Sequence, residues 1–173
     1  MKNSSQKAEL LNLFQQWALH FGYISGRIDI KSDDELASFA TNDCTLTAHA
    51  PLWGTKPGAE KSVPAAVVRK KLSGMLKYVR LERHDMHIAV DGKQLCFFFF
   101  LKGELRYFPL FHVVNVPLAF VLEAVDTPQG LRIKEIHEWP AASPEEALNM
   151  MVEKHGWSNT AKFEKHVAFG AAS

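Results

Sequence analysis

The stretch CFFFFLKGELRYF, residues 96 to 108, sets four phenylalanines in succession and two more aromatics at positions 107 and 108. A β-strand points successive side chains to opposite faces, so this run cannot hide behind a single solvated face. Leu95, Phe97, Phe99 and Leu101 face one way, and Cys96, Phe98 and Phe100 the other. The next apolar run behaves alike: His112, Val114, Val116, Leu118, Phe120 and Leu122 oppose Val113, Asn115, Pro117, Ala119 and Val121. A sheet built of such strands needs cover on both sides. Helices from the N-terminal half can cover one; the other calls for a second subunit, the C-terminal helices, or both. Burying three such side chains per subunit contributes about 5 to 9 kcal/mol before association costs are subtracted. A homodimer through the outer sheet face is therefore expected.

Strands continue on either side of this run. Asp91-Gly92 is a two-residue hairpin signal, Lys102-Gly103 a looser turn, and DTPQG at 126 to 130 a longer one. Together they predict four consecutive antiparallel strands between Val79 and Trp139. The first of these breaks phase: Val79 and Leu81 put apolar groups at odd positions, but Met86, Ile88 and Val90 at even ones. An extra residue near Arg83 to Asp85 should bulge it.

Upstream, Leu10, Leu11, Phe14, Trp17, Ala18 and Phe21 mark one face of a helix that Gly22 ends. A short second helix opens at the capping box of Ser32 and Glu35 and carries Leu36, Phe39 and Ala40. TLTAHA, 45 to 50, reads as a strand, and PLWGTKPG after it as an irregular loop. A third helix starts at Pro64 and runs to about Tyr78. Its outer face of Arg69, Lys70, Lys71 and Lys77 reads as a solvated surface. Downstream, Ser143-Pro144-Glu145-Glu146 opens a helix that stops at Gly156, and Asn159 to Phe169 suggests a last one.

The 173 residues fit one domain, with a core over about 8 to 140 and a helical extension over 143 to 170. Twenty Lys and Arg against 19 Asp and Glu give a net charge of +1, which supplies no pull toward nucleic acid or an acidic membrane. Two cysteines, Cys44 and Cys96, are too few for a disulfide framework and read as free buried thiols. With no secretory h-region and no unbroken apolar span, a cytoplasmic protein is expected.

The order of a helix, a short helix leading into LASFATNDCTLTAHAPLWG, a third helix and a long meander ending in GLRIKEIHEW resembles the nuclear transport factor 2-like superfamily over about residues 8 to 156. That superfamily includes SnoaL-like polyketide cyclases, ketosteroid isomerases and scytalone dehydratase. The resemblance implies an α+β fold whose curved, mixed or antiparallel sheet forms a cone around a mostly apolar pocket, with the three N-terminal helices on the concave side. Aligned with the ketosteroid isomerase pattern, Trp17 takes the place of the oxyanion-holding tyrosine. The general-base aspartate falls near Ala48, with His49 next to it, and the acidic partner near Phe120 or Val121. All three catalytic identities differ, so steroid isomerisation by that machinery is not expected.

In the last strand Leu131, Ile133, Glu135, His137 and Trp139 share one face under regular alternation, and the resemblance turns that face into the cone. Glu135 and His137, two apart, let a carboxylate bias an imidazole for general acid or base work near neutral pH. The alternative is a bulge that reverses the phase and turns Ile136 inward. His49 enters or leaves the pocket on a one-residue slip of register. Trp17, His49, Trp53, Ile133 and Trp139 are the candidate pocket lining, and His137 with Glu135 the candidate catalytic pair. His112 and Asn115 fall on opposite strand faces, as do His84 and His87 unless the suspected bulge intervenes. No histidine pair has the helical spacing of a metal site, so neither metal nor cofactor is expected. These readings point to a protein that binds a small apolar or aromatic molecule, either as a cofactor-free isomerase, dehydratase or cyclase, or as a non-catalytic binding or dimeric interaction protein on the same scaffold.

Overall fold

A computed structural model describes residues 2–20, 36–49, 61–67, 70, 78–105 and 108–165. Helix α1, Lys2–His20, precedes strands β1, Ala40–Ala48, and β2, Lys61–Pro64. The meander follows as β3, Val79–Asp91, β4, Gln94–Leu105, β5, Phe108–Thr127, and β6, Gly130–Pro140. Helix α2, Pro144–His155, and the two-residue strand β7, Glu164–Lys165, complete the described chain. All seven strands form one open sheet in the order β2-β1-β6-β5-β4-β3-β7. Every pairing is antiparallel except β1 on β6, which is parallel. The α+β class and the four-strand meander expected from the sequence are present.

The phenylalanine run divides as its alternation predicts, and the chain covers both sides itself. Leu95, Phe97 and Phe99 join Phe120, Leu118 and Leu122 under α1, which sends down Leu10, Leu13 and Phe14 at helical spacing. We call this the inner face. Phe97 is its hub, with the Phe14 ring at 4.7 Å and the Phe120 ring at 5.1 Å. On the outer face Cys96, Phe98, Ala119 and Val121 pack against Ala147 and Met151 of α2 and against Trp157. Of the two covers the sequence left open for this face, the C-terminal helix supplies one.

Helix α2 forms where its boundary residues dictate. The Ser143 hydroxyl accepts from the Glu146 backbone N–H at 3.2 Å, Pro144 occupies the first turn, and Gly156 ends the helix at φ 67°, a left-handed conformation glycine takes without strain. The bulge expected in β3 is present: its pairing with β4 shifts between His84 and His87, with Asp85 at φ 50°.

Three expectations are corrected. β4 does not turn at Lys102-Gly103 but runs on to Leu105; Gly103 is buried beside a shift in the pairing with β5, the irregularity that a glycine inside a strand commonly marks. Ala40 opens β1 rather than closing a helix, because the Phe39 carbonyl is already accepting from Ile133 N–H of β6 at 2.9 Å. Residues 159 to 165 are not helical: after a turn at Ser158 to Thr160, Glu164 and Lys165 pair with Ile88 and His87, giving the edge of β3 a partner. The second helix before residue 36, most of the third and everything after residue 165 lie outside the described residues. Among the described residues no helix is long and apolar enough to cross a membrane.

Candidate functional site

The face that β6 presents changes along its length. Its register with β5 pairs Glu123 with Glu135 but Ala124 with Ile133, so Lys134 is an extra, unpaired residue. An extra residue advances the strand by one and exchanges its faces. Leu131 and Ile133 point to the inner face before it, and Ile136 and Glu138 do so after it, all four at most 5% exposed. Glu135, His137 and Trp139 consequently emerge on the outer face, where Trp139 packs with the α2 layer. This corrects the single face drawn through Leu131, Ile133, Glu135, His137 and Trp139. Of the candidate lining, Ile133 lies on the inner face and His49 and Trp139 on the outer. Trp17 belongs to α1, but its side chain, like the whole of Trp53, falls outside the described residues.

At the inner end of β6, Glu138 is fully buried, the one buried charged side chain among the described residues. Its partner in the parallel ladder is Ala48 of β1, whose side chain is also on the inner face. His49 N–H donates to the Glu138 carbonyl at 2.8 Å and holds the two strand ends together. On its other side Glu138 is the ladder partner of Phe120 on β5, so the carboxylate sits beside the phenylalanine cluster, with Leu46 and Ile136 the next inward pair along β1 and β6. The arrangement sets a buried carboxylate against an apolar wall.

On the outer face the structure brings together residues that the sequence named separately. Glu135 Oε2 lies 3.3 Å from His137 Nε2, and His137 Nδ1 lies 3.2 Å from His49 Nε2. A carboxylate only accepts, so His137 Nε2 carries the proton; in the neutral ring Nδ1 then accepts from His49 Nε2–H. The His49 ring stacks on the Trp139 indole with centroids 3.6 Å apart and planes 4° from parallel. Trp139 Nε1 donates to His155 Nε2 of α2 at 2.9 Å, and the His137 and His155 rings meet edge to face at 5.0 Å. His155 was not singled out from the sequence; only the docking of α2 brings it here. Burial, followed by the facing His137 and His49, pushes its pKa down from 6.5 to about 4 against the pull of Glu135.

Both cysteines are free and buried; desolvation pushes the Cys44 thiol up to about 12 and raises that of Cys96 as well. Asp43 on β1 pairs with Lys134, the bulge residue, and that hydrogen bond holds its carboxyl below the usual range. Among the described residues no group of three or more His, Cys, Asp and Glu side chains is arranged to hold a metal ion.

No protein-family model matches the chain, and no curated protein sequence matches it significantly. Solved structures do. A candidate polyketide cyclase from Xanthomonas campestris pv. campestris superposes with a TM-score of 0.51 at 15% identity, over 77% of this chain and 90% of the other. A candidate SnoaL-like polyketide cyclase from Jannaschia sp. CCS1 also reaches 0.51, at 14% identity over 84% and 90%. At such identities the likeness is one of fold. The chain, an open mixed sheet with α1 on its inner face, is therefore similar to these proteins in fold.

Proposed function

We propose that the protein binds a small apolar or aromatic molecule at the end of the inner sheet face where Ala48 and Glu138 lie side by side. There it carries out a cofactor-free proton transfer with the Glu138 carboxylate as base or acid. The observation that carries this reading is the register of β1 on β6. By the resemblance read from the sequence, the general base of ketosteroid isomerases falls near Ala48, and the adjacent inward position on the neighbouring strand, about 4.8 Å away, is Glu138. A carboxylate displaced by one strand addresses the same end of the face. Isomerisation, dehydration or ring closure next to a carbonyl is chemistry that one such group performs without metal or cofactor.

A non-catalytic binding role is the second reading. It is favoured by the rings of Phe14, Phe97, Phe99 and Phe120, which fill the inner face up to Glu138, the ladder partner of Phe120. A thermal-shift screen with aromatic ketones and phenols, run on the wild type and on Glu138→Gln, separates the two. Both readings expect at least one compound to raise the Tm of both proteins by a few degrees at concentrations well above Kd. Catalysis by Glu138 further expects Glu138→Gln to turn over the bound compound roughly 10²- to 10⁴-fold more slowly. Equal turnover removes the catalytic role, and no stabilisation by any compound removes the site.

A further inference from the structure

Helix α2 is seated on the outer face in its middle and in its last turn, and just beyond it Trp157 is buried in the same cluster and donates to Gln94 Oε1. In its middle Ala147 and Met151 pack on Phe98, Cys96 and Val121. In its last turn the contact is polar: His155 Nε2 accepts the Trp139 Nε1 hydrogen at 2.9 Å. An indole nitrogen only donates, so this bond exists while His155 Nε2 is unprotonated. The same ring faces His137 at 5.0 Å, and His137 faces His49 at 5.5 Å. Three imidazoles thus meet where β1, β6 and α2 come together.

Glu135 on β6 contacts His137 Nε2, and Glu123 on β5 is the register partner of Glu135 and accepts from Gln94 Nε2 at 3.4 Å. On α2, Glu153 and Lys154 pair with each other at 3.3 Å. A proton on His155 Nε2 removes the acceptor of Trp139 and places a charge on a half-buried ring that faces His137. The carbonyl ends of α2 favour a cation in the last turn, yet burial and the facing rings outweigh them, as the displacement of His155 to about 4 indicates.

We propose that the His155–Trp139 contact, backed by His137 and His49, is an acid-sensitive latch: neutral, it ties the last turn of α2 to β6, and protonation of His155 frees the helix end and uncovers the apolar outer face around Phe98 and Val121.

Amide hydrogen exchange on the full chain, expressed as protection factors at pH 7 and pH 4, tests this. In the wild type, α2 amides lose tenfold or more protection at pH 4 while β4 and β5 keep theirs. In His155→Gln, whose amide oxygen accepts from Trp139 and does not titrate, α2 stays protected at both values. Unchanged α2 protection in the wild type, equal loss in His155→Gln, or loss of β4 and β5 together with α2 overturns the latch. Should that variant not fold, a second wild-type measurement decides: α2 protection falls between about pH 6.5 and the pH at which the His155 ring signal of the folded chain titrates, and protection that falls only below that pH overturns the proposal.

Discussion

Ala48 of β1 and Glu138 of β6 are ladder partners on parallel strands, both turned toward α1, so this part of the inner face holds one carboxylate and one methyl group. Returning a carboxylate to β1 with Ala48→Asp sets two acids side by side in a buried place. Each charged form then penalises the other, on top of the crowding of a site sized for alanine. A buried carboxyl whose folded pKa is raised costs stability as pH climbs past its unfolded value of about 4. Ala48→Asp is therefore expected to lose about 2 to 4 kcal/mol at pH 8 and less at pH 5. Urea denaturation at the two pH values reads the difference.

The pH dependence of global stability has its own signature. His155 is held near pKa 4 in the folded chain and returns to about 6.5 when unfolded. Its contribution is complete above about pH 6.5, where both states are neutral, and is lost progressively as pH falls toward 4, where only the unfolded state takes the proton. After solvent screening of the half-exposed ring, the effect is on the order of 1 to 2 kcal/mol. Urea midpoints between pH 4.5 and 7 should rise with pH in the wild type and show a shallower slope in His155→Gln.

Phe97 anchors the inner core, fully buried and in ring contact with Phe14, Phe99 and Phe120. Phe97→Ala leaves a cavity that its rigid neighbours cannot collapse into and should cost about 3 to 5 kcal/mol. A shift of the urea midpoint at unchanged slope measures it.

Both ends of α2 can be loosened independently of its packing. Gly156→Ala puts a Cβ on a residue at φ 67°, where open space surrounds it and only the backbone conformation resists. Ser143→Ala removes the acceptor of the Glu146 N–H. Each should cost about 1 kcal/mol, and the pair, at opposite ends of the helix, should add. Thermal unfolding of the single and double variants checks both statements.

The parts of the fold that were legible in the sequence are those governed by neighbours along the chain. Asp91-Gly92 and DTPQG mark the hairpin turns because short loops demand particular backbone conformations. The alternation in Leu95 to Leu101 assigned each phenylalanine to its face, and the odd-to-even change between Leu81 and Met86 located the bulge in β3. β6 carries the same kind of signal, with Leu131 and Ile133 at odd positions and Ile136 at an even one. Reading that change as a bulge, and not Glu135, His137 and Trp139 as a continuation, finds Glu138. What depends on distant partners stayed hidden. β7 exists because β3 offers a free edge, and His155 joins His137 and Trp139 only once α2 has docked across the sheet.

Lys134 matters less to the site than its place suggests. Because that surplus residue has no partner on β5, a one-codon deletion there would straighten the strand and leave the pairs Glu123–Glu135 and Ala124–Ile133 in place, so the His137 imidazole would still look toward α2 and the Glu138 carboxylate toward α1. The assignment of each functional group to its side of the sheet is thus insulated from the loss of the residue that interrupts the alternation.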